Sequence, residues 1–351
     1  MKEQLGKPVS TLEVMNKDSM NMSWSLASRL KLALAATEFF DVENLEQTRR
    51  FLKDEVGADH LGGSPGLSLL DFVQYLEVKT IFPKKPNYLR VRHIVAQMAS
   101  LGMLVPVSPI RPGPPVFGER YLCFRGMFGE HFRGNLWLAP LLGAELLYEE
   151  CKSSVVQITG QKNGRTVGGS GVIIHSNYVL SCCHVVEEVE LDRTQTFQGR
   201  QCSLDVSSIR IHSTEDIALI GIEDGLDPLN GAVFRKPIIA QGVYTMGYPR
   251  LPNTRDASLT IQQGAVTNER VTSLGGQALF LYSAISRPGN SGGPVLSEDG
   301  YVVGMAVEDH AASYESDELF SPHYAGVPAD VVVEAVEELA PDIQLVVENL
   351  E

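Results

Sequence analysis

The spacing of apolar residues divides the chain into two parts. Between residues 20 and 105 apolar side chains recur every three to four positions, the period of amphipathic helices. Asn44 with Gln47 resembles a capping box, Ser68 is placed to cap the third helix, and Gly102 ends the fourth. The predicted helices begin near Leu26, Thr48, Leu69 and Tyr88.

A proline- and glycine-rich tip follows the fourth helix at residues 111–115, and residues 120–125 resemble a strand. In a winged-helix domain, helices are followed by a β-hairpin with such a tip. We therefore predict a mainly α-helical, winged-helix domain over residues 23–150, preceded by a flexible N-terminus over residues 1–22.

From Ser154 onward, short runs rich in valine and isoleucine alternate with glycine turns. Many short strands at such spacing predict an all-β barrel or sandwich. A last amphipathic segment, Pro328 to Leu339, predicts one closing helix. The predicted fold class is thus multidomain, with an α-helical domain before an all-β domain that spans residues 151–351.

Length and composition agree with two folded domains. The chain has 351 residues, of which 44% are hydrophobic, too many for a disordered protein. The net charge is −14, and residues 151–351, with 12 basic and 26 acidic side chains, account for all of it. Residues 84–134 hold eight basic and two acidic side chains, so the N-terminal half contains a basic stretch.

The residues also indicate a compartment. The first 24 residues contain no apolar signal-peptide core, and no run of about 18 uncharged apolar residues predicts a membrane span. Five cysteines, an odd number without metal-ligand spacing, fit a reducing environment. We expect a cytoplasmic protein with no membrane partner, no metal and no cofactor.

Three segments of the β half carry residues suited to nucleophilic catalysis. His184 ends an apolar strand, Asp216 leads into another, and Ser291 lies in a glycine-rich turn. A serine nucleophile needs a base within hydrogen-bond reach, and the base needs an acceptor that fixes its tautomer. His184, Asp216 and Ser291 are candidates for these three roles.

With those contexts, residues 154–340 resemble the trypsin-like (chymotrypsin-fold) serine peptidases, most closely the HtrA-type branch. The resemblance covers about the last 55% of the chain and leaves residues 1–150 unassigned. The motifs that carry it are Gly169-Ser-Gly-Val-Ile-Ile, Leu180-Ser-Cys-Cys-His184, Asp216-Ile-Ala-Leu, Gly289-Asn-Ser-Gly-Gly-Pro294 and Tyr324-Ala-Gly-Val-Pro328.

The resemblance implies two six-stranded β-barrels with the active site between them. It implies His184 as general base and then acid, Asp216 as its orienting partner and Ser291 as nucleophile. The backbone N–H groups of Gly289 and Ser291, with Asn290 as a further candidate, would form the oxyanion hole.

The resemblance also indicates a substrate-binding region. No acidic residue stands at position 285, which disfavours a basic P1 residue, and we expect a small or medium apolar one. Met305, Ala306 and Val307 would pair with the substrate backbone. Ile285 would lie at the floor of the specificity pocket, and Tyr324, Ala325 and Gly326 would lie near its wall.

Departures from the secreted trypsins argue against activation by cleavage. Position 290 is Asn, so no aspartate is available to pair with a newly formed N-terminus, and no Ile-Val-Gly-Gly sequence precedes Ser154. Control of the enzyme is therefore assigned to residues 1–150.

Three functions remain open at this stage. The first is an intracellular serine endopeptidase that acts on protein or peptide substrates and is controlled by an N-terminal recognition domain. The second is a pseudoprotease that uses the cleft as a peptide-binding scaffold. The third is a nucleic-acid-binding regulator with an autocleaving protease domain. For the basic stretch at residues 84–134 we favour a solvated face or one that docks on the acidic protease half. A protein partner comes next and nucleic acid last.

Overall fold

The computed structural model describes residues 24–57, 66–107, 119–126, 132–187, 189–251, 253–307 and 323–348. Its contacts divide the chain into two compact units, Met1–Phe124 and Arg125–Glu351. The sequence placed the domain boundary near residue 150. The predicted flexible N-terminus, residues 1–22, lies outside the described residues.

The first unit consists of four helices and a small antiparallel sheet. Its strand order is β1-β3-β2, with Tyr121 opposite both Leu67 and Pro106. The elements are α1 (Leu26–Phe40), α2 (Leu45–Val56), β1 (Leu67–Ser68), α3 (Leu69–Val78), α4 (Tyr88–Ser100), β2 (Val105–Val107) and β3 (Arg120–Leu122).

Two predicted helix caps have different outcomes. Ser68 begins α3 with a complete capping box: its Oγ accepts the N–H of Asp71 at 3.2 Å, and the Asp71 carboxylate accepts the N–H of Ser68 at 3.0 Å. The predicted cap at Asn44 is wrong. Asn44 has helical dihedral angles and makes no capping hydrogen bond, and its amide donates to the carbonyl of Glu38 instead.

Aromatic side chains form the centre of this unit. Phe39, Phe40 and Phe72 are buried and lie within about 5 Å of one another by ring centroid. The order of helices and strands agrees with the order that led to the winged-helix prediction. That designation stays a prediction, and the tip at residues 111–115 lies outside the described residues.

Residues 132–151 pack with the second unit. A 3₁₀ turn at Leu136–Leu138 leads into α5 (Ala139–Leu142) and α6 (Ala144–Cys151). Leu136, Leu147 and Cys151 belong to the same buried core as the strands that follow. This helical segment is therefore part of the β-rich unit.

The second unit holds two sheets. The first has the strand order β7-β4-β5-β6-β10-β9-β8, and the second closes into a barrel, β11-β12-β13-β16-β15-β14. The first sheet contains β4 (Val155–Lys162), β5 (Arg165–His175), β6 (Tyr178–Ser181), β7 (Glu190–Leu191), β8 (Thr194–Phe197), β9 (Arg200–Ile211) and β10 (Ala218–Ile222). The barrel contains β11 (Gly242–Gly247), β12 (Thr260–Thr272), β13 (Ala278–Tyr282), β14 (Pro294–Ser297), β15 (Val302–Val307) and β16 (Tyr324–Pro328).

Two helices complete this unit. The short α7 (Cys183–Glu187) follows β6, and α8 (Ala329–Leu339) follows β16 and buries Val331, Val332 and Ala335. The predicted closing helix and the six-stranded barrel are confirmed, whereas the first sheet has seven strands where six were implied. No helix among the described residues is both long and apolar enough to cross a membrane.

Candidate active site

Strand pairing in the first sheet brings His184 and Asp216 together. Strands β6 and β10 are antiparallel, with Ser181 opposite Ala218. Asp216 lies two residues before Ala218, the first residue of β10. His184 lies three residues after Ser181, the last residue of β6, and belongs to α7. Residues 32 positions apart in sequence are therefore adjacent in space because one end of β6 meets the start of β10.

Two hydrogen bonds join this pair. The backbone N–H of His184 donates to Oδ1 of Asp216 at 3.0 Å, and Nδ1 of the ring lies 2.7 Å from Oδ2. A carboxylate can only accept, so the proton of the neutral ring resides on Nδ1. This tautomer leaves Nε2 as the basic nitrogen, which is the form that a general base requires.

Asp216 is held in its ionised form. Burial alone would raise its pKa, but the hydrogen bonds and the charge of His184 outweigh burial and lower the pKa below the usual aspartate value. The group therefore stays a carboxylate at neutral pH. An ionised partner can stabilise an imidazolium when the ring takes up a proton.

Ser291 lies in a tight turn between β13 and β14. The N–H of Asn290 donates to the carbonyl of Arg287 at 2.8 Å, and the N–H of Gly293 donates to the carbonyl of Asn290 at 2.9 Å. Gly289 and Gly292 have φ of +100° and +87°, values that disfavour a side chain. At Gly292 a Cβ would also collide with the carbonyl of Ser170.

Ser170, a buried residue of β5, ties this turn to the first sheet. Its N–H donates to the carbonyl of Ser291 at 2.8 Å, and its Oγ donates to the carbonyl of Gly289 at 2.6 Å. The same Oγ accepts the N–H of Tyr248 at 2.8 Å, and its own carbonyl accepts from Oγ of Ser181 at 2.8 Å. No role was predicted for Ser170 from the sequence, although its position among glycines at the start of an apolar run was a signal.

The backbone around Gly289 presents two N–H groups that the turn does not use. Among the described residues, neither the N–H of Gly289 nor that of Ser291 donates to a backbone carbonyl, whereas Asn290 has its partner in Arg287. The carbonyl of Pro288 accepts the N–H of Arg250 at 3.0 Å. Because a trans peptide directs its C=O and N–H to opposite sides, this bond turns the N–H of Gly289 away from Arg250.

Ser291 and His184 line one open cleft of about 600 Å³. Ser291 is buried apart from 2% of its surface, and within the part of the chain that the structure describes its Oγ makes no hydrogen bond. The bond between nucleophile and base is thus not formed in this state. Such bonds are often long without substrate and shorten in the reacting complex.

The predicted substrate strand is only partly available. Ala306 already uses both backbone groups: its N–H donates to the carbonyl of Gly293 at 2.8 Å, and its carbonyl accepts the N–H of Gly292 at 2.9 Å. Met305 is paired with Pro294 and Val327 in the barrel. The carbonyl of Ala306 also accepts a hydrogen bond from Sγ of Cys182 at 3.4 Å, so its two lone pairs and its N–H are all used. Of the three residues Val307, at the end of the strand, remains the candidate.

Three of the four predicted pocket residues lie on one strand of the barrel, β16. Ile285 is 44% exposed and follows β13, while Tyr324 begins β16 directly opposite Tyr282. The rings of Tyr282 and Tyr324 stack with centroids 6.3 Å apart. Ala325 and Gly326 continue β16 opposite Leu281 and Phe280. Aromatic and aliphatic side chains thus surround this end of the barrel.

Cys182 lies close to His184 and Asp216. The potential metal-ligand atoms of these three side chains are within 4.8 Å of one another, an arrangement that could hold a metal ion. Both Asp216 oxygens already accept hydrogen bonds from His184. Burial holds the pKa of Cys182 well above its usual value, and burial with Glu187 raises the pKa of Cys183 to about 12. Both thiols therefore stay protonated at neutral pH, a poor state for metal binding.

His212 supports the turn that carries Asp216. Its Nδ1 accepts the N–H of Glu215 at 3.0 Å, and its Nε2 lies 3.1 Å from a carboxylate oxygen of Glu338 in α8. Since Nδ1 accepts, Nε2 carries the proton and donates to Glu338. The ring thus links the Asp216 turn to the closing helix, a contact between residues 126 positions apart in sequence.

Comparison with known proteins identifies this unit. Residues 169–305 match the family model described as a trypsin-like peptidase domain. The trypsin-like peptidase domain predicted from the motifs is confirmed over these residues.

One curated relative is the putative protease Do-like 12, mitochondrial, of Arabidopsis thaliana, 27% identical over 166 residues. The aligned region covers 44% of this chain and 32% of that protein, so the chain matches about a third of the relative's length. This similarity agrees with the predicted HtrA-type branch.

Two solved structures illustrate the similarity. The active form of the Rv3671c protease from M. tuberculosis has a TM-score of 0.46 at 17% identity and covers 55% of this chain and 84% of its own. The serine endoprotease from Yersinia pestis has a TM-score of 0.44 at 20% identity and covers 56% of this chain and 66% of its own.

Loss of the Ser170 hydroxyl should impair the site more than the fold. In Ser170→Ala the carbonyl of Gly289 and the N–H of Tyr248 lose a buried partner, at a cost of about 1–3 kcal/mol per group. We expect labelling of Ser291 by a fluorophosphonate to slow by about 10- to 100-fold because the turn loses its anchor. Thermal unfolding of the same variant separates the two effects, and an unchanged labelling rate would contradict the anchoring role.

Replacement of His212 should affect the turnover step. His212→Ala removes the acceptor for the N–H of Glu215, whereas His212→Asn retains a side-chain oxygen that can accept within the same turn. We expect kcat for a peptide substrate to fall about tenfold in the alanine variant with little change in KM, and to recover largely in the asparagine variant. Equal losses in both variants would exclude this positioning role.

Proposed function

We propose that the protein is a serine endopeptidase that hydrolyses peptide bonds of protein or peptide substrates through an acyl-enzyme. The observation that carries the proposal is the two-point contact between His184 and Asp216, placed in the same cleft as Ser291. The trypsin-like peptidase domain supports it independently.

In the proposed reaction His184 takes the proton of Ser291 through Nε2 while Oγ attacks the scissile carbonyl. Asp216 keeps the ring oriented and stabilises the imidazolium. The imidazolium then gives its proton to the leaving amine, and the C–N bond breaks to leave an acyl-enzyme. A water molecule, deprotonated by the same ring, hydrolyses the ester and restores Ser291.

The N–H groups of Gly289 and Ser291 are proposed as the oxyanion hole. Both are free of backbone partners among the described residues, and the Arg250–Pro288 hydrogen bond orients the first of them. The N–H of Asn290 is used within the turn, which argues against the third predicted donor. Donors of this kind contribute on the order of 10²–10³ in rate each.

The N-terminal unit is proposed as a control domain that recognises a protein partner. Helix α4 would be the recognition helix of a winged-helix domain. Its exposed residues include Leu89, His93 and Gln97 and no lysine or arginine. Arg92 of the same helix pairs with Glu119 at 2.7 Å. Since phosphate binding requires available basic groups, this face favours a protein over nucleic acid.

An intracellular, cytoplasmic setting is part of the proposal. Cys151, Cys182, Cys183 and Cys202 form no disulfide bond, and three of these four are buried. Free thiols in this number are typical of proteins from reducing compartments.

A fluorophosphonate probe tests the central claim. The wild-type chain should be labelled and should degrade casein, while Ser291→Ala should show neither reaction because the attacking oxygen is absent. Ser207→Ala, a change at an exposed serine on β9, serves as the control and should behave as wild type. Equal labelling of the wild type and Ser291→Ala, or no labelling of either, would favour the pseudoprotease scaffold.

The P1 preference follows from the residues around the pocket. With Ile285 at the floor and Tyr324 beside it, we expect cleavage after small or medium apolar residues. Digestion of a library of peptides from a whole proteome, followed by sequencing of the new termini, measures this preference. A profile dominated by arginine or lysine at P1 would contradict it.

A further inference from the structure

The cleft beside Ser291 extends away from the predicted pocket residues. The start of β5, the region around Val185, residues 248, 250, 251 and 254–257, and the Ser291 turn line it. Ile285, Val307 and Tyr324, which would hold the residues before the scissile bond, are not among its walls. The cleft is therefore distinct from the predicted pocket.

This placement gives the cleft its role in the proposed reaction. In a bound peptide substrate, the residues before the scissile bond occupy the pocket and the scissile bond lies at Ser291. The residues after the scissile bond must then enter the cleft. His184, which would protonate the leaving amine, lines the same cleft. The cleft is thus the position for the residues that follow the scissile bond, and this assignment rests on the proposed function.

The charge of the cleft is opposite to that of its domain. Residues 151–351 carry 12 basic and 26 acidic side chains. Among the described residues, three of those basic side chains line the cleft, and one acidic side chain, Asp256, does so. The three basic residues are Lys162, Arg250 and Arg255.

The two arginines are available to a ligand. Both are exposed, and among the described residues neither forms an ion pair with a carboxylate. Their guanidinium groups can donate two parallel hydrogen bonds to a carboxylate. A cleft with low-dielectric walls concentrates the electric field of such charges and raises the local concentration of anionic ligands.

We propose that this cleft selects substrates with aspartate or glutamate in the two or three positions that follow the scissile bond, and that Arg250 and Arg255 bind those carboxylates. Apolar selection on the acyl side and acidic selection on the leaving side would together define the cleavage site. An acidic segment would otherwise be repelled by the strongly acidic domain, so the basic cleft also directs how such a peptide enters.

Paired peptide substrates test this proposal. Two quenched fluorescent peptides share the residues before the scissile bond, chosen from the measured P1 profile, and carry Glu-Glu or Gln-Gln at the second and third positions after it. We expect kcat/KM to be about five- to tenfold higher for the glutamate peptide, since each exposed ion pair contributes modestly. The ratio should fall toward one as salt is raised, because screening weakens such pairs.

Charge reversal assigns the effect to the two arginines. The variant Arg250→Glu/Arg255→Glu should lose or invert the ratio of the two peptides. Arg193→Glu, a reversal at an exposed arginine outside the cleft lining, should retain the wild-type ratio. A wild-type ratio of one overturns the inference and leaves the proposed function standing, and an unchanged ratio in the double variant overturns the assignment to these residues.

Binding provides a second readout that does not depend on turnover. Fluorescence anisotropy of the two peptides with Ser291→Ala should show tighter binding of the glutamate peptide. Equal binding of both peptides overturns the inference. Absence of fluorophosphonate labelling in the wild type, by contrast, bears on the proposed function alone.

Discussion

Ser170 is the residue through which the two sheets of the second unit meet at the active site. One buried side chain and its peptide groups contact the carbonyls of Ser291 and Gly289, the N–H of Tyr248 and the hydroxyl of Ser181. Every one of these groups is buried or nearly so, and leaving any of them without a partner would be costly. The turn that holds the nucleophile is therefore positioned by the first sheet as much as by its own glycines.

The histidine and aspartate depend on the same sheet in a different way. Strand β6 runs between β5, which carries Ser170, and β10, which leads away from Asp216. The register between these three strands sets the distances among Ser170, His184 and Asp216. Because a one-residue slip would turn every side chain to the other face, the catalytic geometry is tied to the apolar pattern of the strands.

The local electrostatic environment differs between regions of this acidic domain. The carboxylate of Asp216 is kept ionised by the histidine that it orients, despite its burial. In the cleft that His184 lines, Arg250 and Arg255 provide local positive charge, although residues 151–351 together carry a net charge of −14. The backbone N–H of Arg250 also holds the carbonyl of Pro288. The segment at 248–257 thus contributes both to the oxyanion turn and to the walls of the cleft.

Local features of the sequence were sufficient to predict much of this protein. The helix cap at Ser68, the closing helix and the motifs around His184, Asp216 and Ser291 could be predicted because each imposes a backbone conformation on its own neighbours. The failed cap at Asn44 shows the limit of that reasoning: the same residue type adopted helical angles and bonded to Glu38.

Tertiary structure decided the contacts that join distant segments. The bond from Ser170 to Gly289 spans 119 positions, and that from His212 to Glu338 spans 126. The hydrogen bonds between Ala306 and the Ser291 turn depend on strand order in the same way. So does the placement of Lys162, Arg250 and Arg255 in one cleft. No local sequence pattern encodes such contacts, because a hydrogen bond or a charge cluster between residues distant in sequence forms only once the strands have paired. The sequence by itself determined which residues could do the chemistry, and the packing of the sheets decided how they are held.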